Sequence, residues 1–317
     1  MKKNPLGDSG LSVAPLALGG NVFGWTIDEA CSFQVLDAFV DAGFDLVDTA
    51  NMYSAWVPGN QGGESETILG RWLKATGKRD RITLATKVGH QMGDGSLGLK
   101  RDYIFRMVED SLRRLQTDRI DLYQAHKDDE STPLAETLAA FDALVKQGKV
   151  RAIGASNYSA TRLREALAIS EREKLARYVS LQPEYNLYDR QGFEAELEPL
   201  CLEKRVGVIG YYSLASGFLT GKYRSADDLG QSARGATIGK RYMNERGQRI
   251  LKALDDVSAA RGTSPAGVSL AWLMQRPSVT APIASATTVE QLRELVKAAE
   301  LKLTPEDVAK LDAASAY

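Results

Sequence analysis

Phe44-Asp45-Leu46-Val47-Asp48-Thr49-Ala50-Asn51-Met52-Tyr53 is the stretch on which the reading of this chain turns. A short apolar run breaks off at a carboxylate, and a tyrosine follows five residues later on a turn. The run comes after a helical pattern and Gly43, so it reads as a buried parallel strand with Asp48 at its C-terminal end. In parallel sheets chemistry collects at that end of the strands. An Asp closing one strand is more often a cap than a catalyst. Two later strands that end in the same way change the balance.

Outward from this strand the chain alternates. Before it, Asn4 to Val13 reads as a hairpin turned by Gly7-Asp8-Ser9-Gly10, Ala14 to Leu18 as a first strand, and Asp28 to Ala42 as a helix. After it, a helix from Ser65 to Thr76 leads to a strand from Arg81 to Val88 and a helix from Asp102 to Gln116. Strand and helix follow again at Ile120–Ala125 and Leu134–Gln147, then at Val150–Ala155 and Ala160–Glu173. Val179–Pro183 and Phe193–Lys204 make the next pair. Val206–Tyr211 is a strand followed by a Gly/Arg-rich loop, Leu214 to Met243, too long for an ordinary α/β connection and therefore functional. Helices at Asn244–Arg261 and Pro265–Gln275, a last strand at Val279–Ile283, and helices at Val289–Glu300 and Pro305–Ala314 complete the chain. Eight strands, each with a helix behind it, predict an α/β fold: one domain over residues 1–317, a (β/α)8 TIM barrel. It would carry an N-terminal β-hairpin and extra helices near the C-terminus. A doubly wound open sheet is the alternative.

Lys and Arg number 40 against 41 Asp and Glu, which leaves no electrostatic basis for nucleic acid or an anionic membrane as partner. No apolar stretch approaches the ~20 residues of a membrane span, and no apolar segment follows the charged N-terminus, so the protein is expected in the cytoplasm. Cys31 and Cys201 lie far apart without metal-ligand spacing and read as buried free thiols; no metal is expected. Oligomeric state is not encoded in any feature read here. Gly93-Asp94-Gly95-Ser96-Leu97-Gly98 matches a dinucleotide fingerprint, but four residues separate it from the preceding strand. It reads as a mobile loop.

The strand ending in Thr86-Lys87-Val88 carries a lysine at the same end, and the strand Ile120–Ala125 runs into His126. With Asp48 and Tyr53, a carboxylate, a phenol, an ammonium and an imidazole converge on three consecutive strands. A buried ammonium stabilises a phenolate and lowers the phenol's pKa, while a carboxylate keeps the ammonium charged. A neutral imidazole orients a carbonyl. The set suits proton delivery to a carbonyl that receives a hydride from elsewhere.

These residues resemble the aldo-keto reductases. Val47-Asp48-Thr49-Ala50 with Tyr53, Ala85-Thr86-Lys87-Val88, and Arg119 to Gln124 with His126 carry the likeness. Ile153 to Ser159 and Gln182-Pro183-Glu184-Tyr185-Asn186 add to it. Ser216 to Tyr223 resembles a bacterial branch related to the potassium-channel β-subunits. The resemblance implies a barrel that binds a nicotinamide dinucleotide and a catalytic tetrad of Asp48, Tyr53, Lys87 and His126. It also implies reversible NAD(P)H-dependent reduction of small aldehydes or ketones to alcohols. Ser156, Asn157 and Gln182 would hold the carboxamide, with Tyr211 stacked on the ring. Gly217, Leu219, Lys222 and Arg241 would meet the pyrophosphate. Gly20, Asp48, Ser213, Leu214, Ser285, Thr287 and Gln291 are further cofactor candidates. Trp25, Tyr53, Trp56, His90 and His126 would line the substrate pocket. NADPH is the expected cofactor; because Pro282 to Leu292 contains no basic residue to grip a 2′-phosphate, NADH is also expected to bind. Two alternatives remain open: a cofactor-binding regulatory subunit like the channel β-subunits, and an aldolase or hydrolase using Lys87 as nucleophile.

Overall fold

The structure is a computed structural model that describes residues 2–317; Met1, the first residue of the expected domain, lies outside them. Strands β1 (Asn4–Pro5) and β2 (Ser12–Val13) pair antiparallel as the expected hairpin. Eight parallel strands follow: β3 (Ala17–Gly19), β4 (Leu46–Asp48), β5 (Thr83–Val88), β6 (Ile120–Ala125), β7 (Val150–Ser156), β8 (Tyr178–Gln182), β9 (Gly207–Val208) and β10 (Ile283–Ala284). They neighbour one another in chain order, with β10 beside β3. The segment leading into β10 closes the ring. The Thr280 and Ile283 amides donate to Val208 and Gly210 on one side, and the Ala17 amide donates to Pro282 on the other. This is the (β/α)8 barrel.

Side chains alternate across each strand, and the alternation separates two cores. Ala17, Leu46, Ala85, Leu122, Ala152, Val179, Ile209 and Ala281 fill the barrel interior together with Leu6, Leu11 and Val13 of the hairpin. The hairpin is thus the plug of the barrel floor. Gly7 sits at φ +53°, and a Cβ there would lie 2.1 Å from the Val179 carbonyl, so only glycine lets the plug seat. Val47, Leu84, Tyr123, Ile153 and Leu181 face outward into the layer beneath the helices. Each fully buried aliphatic side chain there contributes about 1.5–3 kcal/mol. Two residues beyond the inward Leu46, Ala85 and Leu122 come Asp48, Lys87 and Gln124, on the inner face at the strands' C-terminal ends.

The helices are α1 (Glu29–Asp41), α2 (Glu64–Thr76), α3 (Arg101–Leu115), α4 (Leu134–Lys146), α5 (Ala160–Glu173), α6 (Gln191–Glu194), α7 (Leu197–Lys204), α8 (Gly235–Arg241), α9 (Glu245–Arg261), α10 (Pro265–Met274), α11 (Val289–Lys297) and α12 (Pro305–Ser315). No helix among the described residues is long and apolar enough to cross a membrane.

Several boundaries differ from expectation for local reasons. The first barrel strand begins at Ala17 rather than Ala14, because the Ala14 amide is taken by the Asp45 carboxylate. The helix expected over Phe193–Lys204 divides at Ala195–Glu196, where Glu196 leaves helical geometry at φ −133°. The Leu214–Met243 loop carries 3-10 turns over Ala215–Thr220 and Ala226–Gln231 as well as α8. Gly235 permits that folding: a Cβ there would lie 1.7 Å from the Leu229 carbonyl. Cys201 is buried, but Cys31 is exposed on the outer face of α1, against expectation. The Gly93–Gly98 loop is a turn tied down by the Met92 amide on Ser96 and by the Gly93 amide on Gln61.

Candidate active site

Lys87 is the centre of the barrel mouth. Its Nζ donates to Asp48 Oδ2 at 2.6 Å, to the Thr49 carbonyl at 2.9 Å and to the Tyr53 hydroxyl at 2.8 Å. Lys87 and Asp48 side chains are 0% and 1% exposed. Three acceptors surround the Nζ, as many as the protons of an ammonium. Asp48 Oδ1 accepts from Gln124 Nε2 at 3.2 Å and Gln182 Nε2 at 2.9 Å, which satisfies the second carboxylate oxygen. A buried ion pair is stable only when its remaining valences are met in this way.

The direction of the tyrosine's shift corrects one expectation. Burial first, then the Asp48 charge, hold the Tyr53 phenol well above its usual 10.0, outweighing the stabilisation that the Lys87 ammonium at 2.8 Å gives a phenolate. Burial pulls Lys87 down, opposed by Asp48. Tyr53 is therefore fully protonated near neutrality. Burial, helped by Lys87 and His90, drives His126 well below 6.5 and keeps its imidazole neutral. Its Nδ1 and that of His90 are buried without protein partners.

Aromatic rings line the mouth in an unbroken series. Trp25 meets Trp56 at 5.4 Å between centroids, Trp56 meets Tyr53 at 6.2 Å, Tyr53 meets His126 at 5.9 Å, and His126 meets His90 at 5.2 Å. All five residues expected to line the substrate pocket are thus brought together.

The residues expected to hold a carboxamide also meet. Tyr211 donates to Asn157 Oδ1 at 2.8 Å, and Asn157 Nδ2 donates to Ser156 Oγ at 3.0 Å. Ser156 Oγ donates to the Gln182 carbonyl at 2.8 Å, and Gln182 reaches Asp48. One network therefore joins the amide set, the flat ring and the carboxylate. Amides and hydroxyls beside a flat ring, with cations on the next loop, are a donor set that fits a nicotinamide dinucleotide.

Other cofactor candidates are placed differently. The Gly217 and Leu219 amides both donate to the Leu214 carbonyl, so neither N–H is free for a phosphate, and the Leu219 side chain is buried. Arg241 is held by Glu184 at 2.8 Å and Asp189 at 2.9 Å rather than standing ready for an anion. The room beside Gly20 is filled by Ser65, Phe23 and Asp48, so packing accounts for that glycine. Ser213 is buried and bonds the Gly210 carbonyl; Ser285 bonds Asn21 at 2.7 Å; Thr287 bonds Gln291 at 2.9 Å. Lys222 lies over the Tyr223 ring, and it forms no ion pair among the described residues.

Sequence reasoning missed Gln124, Tyr212 and Arg234. Gln124 was findable, since it shares a strand face with His126. Arg234, half-buried, lies 5.2 Å from the Trp25 ring and has no carboxylate partner among the described residues. Only its isolation from acids distinguishes it from Arg241, and that is invisible in the sequence.

Residues 15–316 match the family described as Aldo/keto reductase family. The chain is 36% identical over 313 residues to the uncharacterized oxidoreductase YrpG of Bacillus subtilis (strain 168), covering 96% of this chain and 93% of that protein. It is 32% identical to protein tas of Escherichia coli (strain K12), covering 99% and 97% of the two chains. It is 32% identical to a probable voltage-gated potassium channel subunit beta of Oryza sativa subsp. japonica, covering 99% and 96%.

Proposed function

The chain belongs to the aldo/keto reductase family, and we propose that it is an NAD(P)H-dependent reductase of small aldehydes or ketones, working reversibly on the corresponding alcohols. The observation that carries this reading is the Asp48–Lys87–Tyr53 chain, in which a buried ion pair of 2.6 Å meets the half-buried phenol at 2.8 Å. When bound, a reduced nicotinamide supplies the hydride that adds to the carbonyl carbon. Ser156, Asn157 and Gln182 hold its carboxamide and Tyr211 its ring face. Lys222 and Arg234, cations of the Leu214–Met243 loop that form no ion pair among the described residues, are suited to its phosphates, and Ser285, Thr287 and Gln291 to its adenosine end.

His126, neutral, donates a hydrogen bond to the substrate oxygen and orients it. Tyr53 delivers its proton to that oxygen as the C=O bond becomes C–OH. The phenolate left behind is stabilised by Lys87 Nζ, already in contact, and Asp48 keeps Lys87 charged. Lys87 thus favours loss of the Tyr53 proton, against the burial that opposes it. Such preorganised charge needs no rearrangement during the reaction.

The test is loss of NADPH absorbance on adding an aldehyde. Tyr53→Phe is expected to lower kcat by about 10²–10⁴-fold with the NADPH dissociation constant unchanged. A variant that keeps most of its turnover would overturn the reading. A regulatory subunit, the function named for the rice relative, would bind NADPH and consume none.

A further inference from the structure

Tyr212 is the residue that neither the fold nor the proposed chemistry accounts for. Its backbone sits at φ +53°, a region that bulky L-residues rarely adopt. Strain of this kind persists only where the surroundings enforce it, and it gathers at functional sites. Here the enforcing group is Asn186. Its fully buried side chain donates from Nδ2 to the Tyr212 carbonyl at 3.0 Å and accepts the Tyr188 and Asp189 amides on Oδ1 at 2.8 and 2.9 Å. The Ala215 amide donates to the same Tyr212 carbonyl at 2.6 Å.

The backbone alone would be met by glycine at no cost. The ring adds no core either, since Tyr212 is 42% exposed. What the geometry secures is an aromatic face on the mouth. Tyr212 follows β9, four strands round the barrel from β5, whose loop carries His90. The series Trp25–Trp56–Tyr53–His126–His90 comes from the loops after β3 to β6, on the other half of the mouth. Tyr212 meets Tyr211 edge-on at 5.1 Å, with the rings 70° apart, so it stands as a wall at an angle to the ring proposed for the cofactor. Trp56, in the loop after β4, is likewise exposed, at 43%.

We propose that Tyr212, positioned by Asn186, is the second wall of an aromatic slot that selects carbonyl groups attached to a planar aromatic ring over aliphatic carbonyls. This rests on the reductase reading, whose site it shares. A planar ring held between aromatic faces gains stacking and edge contacts that an alkyl chain of similar length lacks.

The test uses the full chain with NADP⁺ bound, and benzaldehyde and butanal as probes. Dissociation constants come from quenching of tryptophan fluorescence. Tyr212→Gly is expected to weaken benzaldehyde about tenfold and to leave butanal within about twofold. It should not lower Tm, because glycine relieves the left-handed backbone. Tyr212→Phe keeps the ring and should stay within about twofold on both probes. Asn186→Ala should reduce benzaldehyde binding in the native background but have no such effect on top of Tyr212→Gly, since its action passes through that ring. Wild-type protein that binds benzaldehyde no more tightly than butanal, or a Tyr212→Gly variant that weakens both equally or neither, overturns the slot. Selective benzaldehyde binding without NADPH consumption upholds the slot and removes the reductase reading. Consumption of NADPH with both aldehydes at a ratio that Tyr212→Gly does not change does the reverse.

Discussion

The two halves of the barrel mouth are built on different principles. On β4–β6 and the loop after β4, Asp48, Lys87, Tyr53 and Gln124 answer one another's charges and hydrogen bonds, joined by Gln182 from β8. On the β9–β10 side, Lys222 and Arg234 lack acidic partners among the described residues, and Tyr212, Ala215 and Ser216 hold positive φ angles. In the first half the buried charges are paired within the chain. The second combines left-handed turns with cations that form no ion pair among the described residues. Preorganised charge thus sits beside the surface proposed here for the cofactor phosphates and an aromatic substrate.

The largest effect that could break this contrast is at Lys87. Lys87→Met is expected to abolish turnover while cofactor affinity changes little. It also leaves Asp48 buried without its cation, which costs about 3–5 kcal/mol, read by urea denaturation. Undiminished rate at pH 7 with unchanged stability would mean that the buried pair is not the working centre.

A smaller effect sharpens the other half. No basic residue lies between Pro282 and Leu292, and the Thr287 amide and hydroxyl both bond Gln291 Oε1 at 3.0 and 2.9 Å. Neutral groups of this kind bond a ribose hydroxyl as readily as a phosphate. NADPH is expected to be preferred over NADH by less than ~100-fold, and Thr287→Arg to raise that preference about tenfold, measured as paired dissociation constants. A native preference of several thousandfold would identify Arg293 or Arg234 as an anchor for the 2′-phosphate.

The smallest effect is a flat pH profile. With His126 well below 6.5 and Tyr53 well above 10.0, neither changes charge between pH 7 and 9, so kcat for reduction should show no inflection there. Stability carries the histidine's signature. Below about pH 6.5 the unfolded imidazole binds a proton that the folded one refuses, so this contribution is lost as pH falls from there towards the folded pKa. An inflection in kcat near 6.5 would show that His126 titrates freely and is not held in the dry pocket.

Much of this arrangement is legible in the chain itself. Strand periodicity and the eight-fold alternation predict the barrel, and a period of two carries Asp48, Lys87 and His126 to one end of consecutive strands. Those signals are local: each is carried by residues within one element. The rest depends on partners far apart in sequence. Gln182 reaches Asp48 across 134 positions, and Arg241 is claimed by Asp189 across 52. No spacing rule distinguishes Arg241 from the unpaired Arg234, or shows that Gly217 and Leu219 give their amides to Leu214. The sign of the Tyr53 shift was also beyond reach, because it depends on how much water the folded mouth excludes. Residue types and their order determine which chemical groups stand at the barrel mouth. Which of them are neutralised, strained or left open is decided only when distant segments share one dry volume, where burial and proximity set the charge of each group.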